Sequence, residues 1–142
     1  MGISLEKDIL KAIELKDKVM ISDLFEQIPF PAPTSIVLLF ARILCEEWHE
    51  QHDEIADCLQ VAKNPETVSY LHEACLTNIS YLEKYAGLDA FHRRCTWAIA
   101  DIGTEEAKQT LVDLTKRTDA ALVEYAQERI DNWQAELHRK GV

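Results

Sequence analysis

Three histidines in the chain stand where they could take part in metal chemistry. His49 and His72 are each followed by a glutamate, and His92 occupies the equivalent place in the next predicted helix. Imidazole and carboxylate groups are common ligands of zinc and iron. However, Arg93 follows His92 and puts positive charge where a third dyad needs a carboxylate. We therefore expect His72 to flank a packed helix face and Glu73 to face solvent.

Cysteines offer a second arrangement that could bind metal. In His72-x-x-Cys75 and His92-x-x-Cys95, residues three apart share a helix face, so the two pairs could form a Cys2His2 zinc site. Both cysteines also fall on apolar positions, where a free thiol packs as a small hydrophobic group. No C-x-x-C pair occurs. We predict no bound metal or other cofactor, and four reduced thiols: Cys45, Cys58, Cys75 and Cys95.

The chain carries no motif typical of nucleophilic catalysis or phosphate binding. It has no G-x-S-x-G, no glycine-rich phosphate loop and no H-E-x-x-H. We therefore predict a protein that is not an enzyme.

The most unusual charge pattern is an acidic run at residues 46–57, "EEWHEQHDEIAD", which contains no lysine or arginine. One interpretation is a solvated corner between two helices. The other is a binding site whose negative charge attracts a basic partner and discriminates against wrong ones. The candidate binding residues are the six carboxylates of the run: Glu46, Glu47, Glu50, Asp53, Glu54 and Asp57.

Trp97 is a further candidate contact. It lies off the apolar face of its predicted helix, beside Arg93 and Asp101. It either packs against a second neighbouring helix or anchors a partner, since tryptophan and arginine dominate interface hot spots.

Composition limits the possible partners and location. The 142 residues include 25 acidic and 15 basic side chains, a net charge of −10. Because phosphate binding needs a positive surface, nucleic acid is disfavoured. No apolar run is long enough for a membrane span, and the N-terminus does not resemble a signal peptide. With unpaired cysteines, this predicts a cytoplasmic protein with a single domain at residues 1–142.

Helical periodicity runs through almost the whole chain, without strand-like alternation. Ser4 is the expected N-cap of the first helix. Asn64, with Pro65 after it, and Thr104 begin later ones, and Gly87 and Gly103 end two. The eight predicted helices cover about residues 5–13, 20–28, 35–49, 53–63, 65–85, 88–102, 105–116 and 119–136.

An apolar pattern with offsets 0, 4, 8 and 11 recurs in four of these helices and predicts a stack of helix pairs. Its members are Val37, Ala41, Cys45 and Trp48; Leu71, Cys75, Ile79 and Leu82; Phe91, Cys95, Ile99 and Ile102; and Leu122, Ala126, Ile130 and Trp133. The side chains expected to be buried are Cys45, Cys75, Cys95, Ile79, Ile99, Ile130, Trp48 and Trp133.

The segment "FHRRCTWAIADIGTEEAKQTLVDLTKRTDAALVEYAQERIDNW" resembles the HEAT-repeat pattern, over about residues 88–134. The resemblance implies an all-α, HEAT-like stack of about eight helices in antiparallel pairs. HEAT-like deoxyhypusine hydroxylases hold a di-iron centre with His-Glu dyads on several helices, whereas this chain has only the dyads at His49 and His72.

Three functional hypotheses follow. The first is a protein-binding module, specifically an immunity protein that neutralises a bacterial toxin, since a basic nuclease-like toxin would suit the acidic run. This is an analogy with toxin–immunity pairs. The second is an adaptor or regulatory subunit on the same scaffold. The third is a metal-dependent, hydroxylase-like enzyme that uses His49, His72 and His92.

Overall fold

The computed structural model describes residues 2–133, with side chains from residue 5 onward, and this part of the chain is helical and contains no strand. The all-α class is thus confirmed. None of the described helices is long and apolar enough to cross a membrane. The helices are α1 Gly2–Leu15, α2 Lys18–Phe25, α3 Thr34–Arg42, α4 His52–Ala62, α5 Val68–Cys75, α6 Ser80–Lys84, α7 Leu88–Ile102, α8 Glu105–Leu114 and α9 Ala120–Asp131, with a 3-10 turn at Pro65–Thr67 before α5.

Helix α7 is the centre of the packing. It contacts α4, α5, α8 and α9, and its side chains join a single cluster of buried apolar residues. Because neighbours surround it, only a narrow stripe of α7 reaches solvent. Ala90 and Arg93 are exposed on that stripe, and Arg94 and Trp97 are half-buried.

The predicted burial is confirmed for five of the eight side chains: Cys75, Cys95, Ile79, Ile99 and Trp133. It is wrong for Cys45, Trp48 and Ile130, which are only partly buried. Cys45 and Trp48 pack at the edge of the core rather than inside it, because α3 ends before them. At the end of α9, Arg129 is buried in place of its neighbour Ile130.

The predicted helix at 35–49 is too long. It ends at Arg42, and the chain continues to Gln51 without regular structure. Two imidazole rings form hydrogen bonds with backbone carbonyl oxygens of this segment. His49 Nε2 lies 2.7 Å from the Ile43 oxygen, and His52 Nε2 lies 2.6 Å from the Glu46 oxygen. These bonds satisfy backbone acceptors that a continued helix would have used.

The predicted helix at 65–85 is interrupted between Cys75 and Ser80. The Thr77 hydroxyl donates to the Glu73 carbonyl over 2.8 Å, while His92 Nε2 lies 2.9 Å from the Thr77 carbonyl oxygen. The His92 side chain of α7 therefore satisfies a backbone carbonyl group within this interruption.

The predicted caps were mostly correct. Asn64 Oδ1 accepts from the Glu66 amide at 2.9 Å, and Thr104 Oγ1 accepts from the Ala107 amide at 3.1 Å. Gly103 ends α7 with a φ of 75°, a left-handed conformation that glycine tolerates best. Ser4 was wrongly assigned as a cap, because α1 already begins at Gly2. The predicted end of the last helix at residue 136 lies outside the described residues.

Replacing a central α7 side chain should therefore destabilise the protein strongly. Phe91 is fully buried, so Phe91→Ala should lower the free energy of unfolding by about 3–5 kcal/mol through lost burial and a cavity. The control Val19→Ala alters a side chain that is 70% exposed and should change it by less than about 0.5 kcal/mol. Urea unfolding measures both. Equal unfolding midpoints for the two variants would contradict the central role of α7.

Candidate functional site

Distant cations neutralise part of the acidic run. Glu50 pairs with Lys18 Nζ at 2.8 Å. Arg94 of α7 pairs with Asp57, and its Nε lies 3.9 Å from Asp53. The run itself holds no lysine or arginine, but α2 and α7 supply them. Three of the six carboxylates of the run therefore have a cation from another helix beside them.

Two other carboxylates of the run hold the irregular segment in place. Glu46 Oε1 accepts from the Trp48 indole N–H at 2.6 Å, and Glu47 Oε1 accepts from the Ser80 amide at 2.7 Å. Hydrogen bonds from the Ser80 side chain and backbone lower the pKa of the Glu47 carboxyl. These side chains thus have local structural contacts, although both are exposed.

A stacked histidine pair organises the same segment. The His49 and His52 rings lie 4.2 Å apart at 16° and are fully buried. The Gln51 amide donates to His49 Nδ1 at 3.0 Å, so the proton of the neutral ring is on Nε2, facing the Ile43 carbonyl. His52 likewise donates from Nε2 to a carbonyl, leaving Nδ1 to accept from the Tyr81 hydroxyl at 2.9 Å.

The pair stays neutral because of its surroundings. Burial, and then the neighbouring His49 ring, lower the pKa of His52 to about 4. Burial also lowers the pKa of His49. The sequence analysis missed His52, although the spacing His49-x-x-His52 was a signal that the two imidazoles could meet on one side of a turn.

An apolar groove lies beside the remaining carboxylate of the run. We call it the Phe30 groove; its volume is about 310 Å³. Phe30 is 64% exposed and Val61 44% exposed, which is unusual for large apolar side chains next to each other. The residues that line it are Phe25, Ile28, Phe30, Glu54, Asp57, Cys58, Gln60 and Val61.

Glu54 is the carboxylate of the groove that no described residue pairs with. Burial raises its pKa, and the negative charges of Asp53 and Asp57 raise it further. A backbone amide and the positive charge of Arg94 offset only part of this effect, and Glu54 forms no ion pair within the described part of the chain. An arriving lysine or arginine would stabilise its ionised form.

Trp97 is partly packed and partly accessible. The Arg129 guanidinium lies 3.4 Å from the centre of its ring, in a cation–π contact. Arg129 itself is buried and pairs with Glu128 at 2.7 Å. Trp97 therefore packs against a second helix, α9, while the rest of its ring lines a surface pocket on α7.

The remaining histidines do not come together in one site. His72 Nε2 lies 2.9 Å from Asp113 of α8, and Arg117 pairs with the same carboxylate at 2.8 Å. These contacts, Arg117 first, lower the pKa of Asp113. His72 is half-buried and Glu73 exposed, as predicted. Among the described residues, no three His, Cys, Asp or Glu side chains are arranged to hold a metal ion.

The four cysteines are free thiols. Burial raises the pKa of Cys45 and of Cys58 to about 11. Burial and contact with Cys75 raise the pKa of Cys95 well above its ordinary value. Since the thiolate is the reactive form, Cys45, Cys58 and Cys95 are poor nucleophiles at neutral pH.

Comparison with known proteins gives no relative: no family model, no curated protein and no solved structure matches this chain.

The buried histidine pair predicts a specific loss of stability in acid. The unfolded chain takes up a proton on His52 near pH 6.5, whereas the folded chain does so near pH 4. Stability therefore falls as the pH drops through this window, by roughly 3 kcal/mol for His52. Urea unfolding at several pH values should show a smaller fall in His52→Gln. Wild type and variant share all carboxylates, so equal pH slopes would contradict a neutral, buried His52.

Proposed function

We propose that this chain is a protein-binding module that recognises a basic partner through the Phe30 groove. The observation that carries the proposal is the pairing of exposed apolar surface at Phe30 and Val61 with the carboxylate of Glu54, which forms no ion pair within the described part of the chain. Protein interfaces combine an apolar, often aromatic, centre with a polar rim that selects partners by charge.

Each part of the groove has a separate task in this proposal. Covering Phe30 removes a large aromatic surface from water, and aromatic side chains in such positions carry much of the binding energy. Glu54 attracts a lysine or arginine, and the arriving cation stabilises the ionised form of a carboxyl whose pKa is raised by partial burial and by Asp53 and Asp57. Asp57 also lines the groove, but its charge is already paired with Arg94.

We also propose the more specific form of this function. The chain would be a HEAT-like stack of antiparallel helix pairs acting in the cytoplasm as an immunity protein against a basic toxin. The all-helical class, the resemblance of residues 88–134 to the HEAT-repeat pattern and the carboxylates of the Phe30 groove support it. A partner that arrests cells when expressed alone, and no longer does so when this chain is co-expressed, would establish it. Binding without protection would favour an adaptor.

Two substitutions test the groove on a partner captured from the native host. Phe30→Ser should weaken binding by about tenfold or more, mainly through faster dissociation. Glu54→Lys should slow association, with an effect that shrinks between about 0.1 M and 1 M salt. The control Glu124→Lys makes the same change in net charge on α9, where Glu124 is exposed, and should leave the kinetics nearly unchanged.

Other carboxylates of the run are unsuitable for this test. Reversing Asp53, Asp57 or Glu50 would place lysine against Arg94 or Lys18 and lower the melting temperature. Surface plasmon resonance with wild-type rates for both groove variants would contradict the proposed function.

A further inference from the structure

A second surface pocket lies on the exposed stripe of α7. Its volume is about 400 Å³, and it is lined by Gln60, Ala90, Arg93, Arg94 and Trp97. We call it the Trp97 pocket. Two of these five residues are arginines and none is acidic, although acidic residues outnumber basic ones 25 to 15 in the chain. The adjoining Phe30 groove, which shares Gln60, is lined by two carboxylates.

The two arginines differ in what they can offer a ligand. Arg94 forms an ion pair with Asp57 and lies near Asp53. Its positive charge is therefore already balanced by carboxylates of α4. Arg93 is exposed and forms no ion pair within the described part of the chain. Its planar guanidinium can donate two parallel hydrogen bonds to a carboxylate.

Trp97 provides a rigid wall beside this cation. Arg129 covers part of its ring at 3.4 Å and is itself buried, so the ring is held before any ligand arrives. A side chain held in this way loses little conformational freedom on binding. Tryptophan next to arginine is also the composition most enriched in interface hot spots.

We propose that the Trp97 pocket binds an acidic segment of a partner protein. A glutamate or aspartate pairs with Arg93, and an adjacent apolar or aromatic side chain packs on Trp97. The inference rests on the proposed function only in that the occupant is a protein. The Asp57–Arg94 pair separates the two pockets. A partner that spans both therefore presents basic residues to Glu54 and acidic residues to Arg93.

Proton–nitrogen NMR on the full chain tests this pocket. The probes are a blocked Glu-Tyr-Glu peptide, a blocked Lys-Tyr-Lys peptide, acetate and inorganic phosphate, at physiological salt, where the Debye length is about 8 Å. We expect saturable shifts of the Trp97 indole N–H with the glutamate peptide, at millimolar affinity. Arg93→Gln should weaken that binding about fivefold to tenfold. Arg42→Gln removes the same charge from an exposed position on α3 and should not.

Three results would overturn the inference. They are an equal response to the lysine peptide, full reproduction of the shifts by acetate or phosphate alone, and equal affinities for the Arg93→Gln and Arg42→Gln variants. If the Trp97 pocket fails in this way while Phe30→Ser still weakens capture of the basic partner, the proposed function stands without it.

Discussion

Burial of α7, mainly against α4, α5, α8 and α9, is the constraint on which the rest of the structure depends. Phe91, Cys95 and Ile99 fill the core, so α4, α5, α8 and α9 must each present apolar side chains to one shared helix. Because so little of α7 remains exposed, the polar residues that do reach solvent are held closely by their neighbours. Arg94 ties α7 to α4 through Asp57, and Trp97 ties it to α9 through Arg129.

The acidic run acquires two separate roles from this packing. Its first half lies in an irregular segment whose backbone carbonyls are taken by the stacked rings of His49 and His52. Glu47 ties the same segment to the start of α6. Its second half lies on α4, where Asp57 meets Arg94 and Glu54 faces the apolar groove. The charge pattern of the sequence alone would have predicted the same role for both halves of the acidic run.

Local sequence signals predicted most of the helices, and long-range contacts decided the rest. Asn64, Gly103 and Thr104 act on their immediate neighbours, so their effects could be read from spacing. The break after α5 involves a side chain further along the chain, His92 against Thr77. The irregular segment after α3 instead involves the nearby rings of His49 and His52, whose meeting the sequence analysis missed. The Phe30 groove could not be predicted, because it depends on how the irregular segment after α2 lies beside α4. Trp97 was rightly placed off the apolar face of α7, but its partner Arg129 belongs to another helix.

The central claim is that the Phe30 groove is a surface for a basic protein partner. Amide hydrogen exchange of the chain, with and without that partner, tests it most directly, because protection is read along the backbone. The account predicts slower exchange in residues 25–30 and 54–61 on binding, with α8 unaffected. Protection confined to α8 and α9, with unchanged exchange in those two segments, would contradict it.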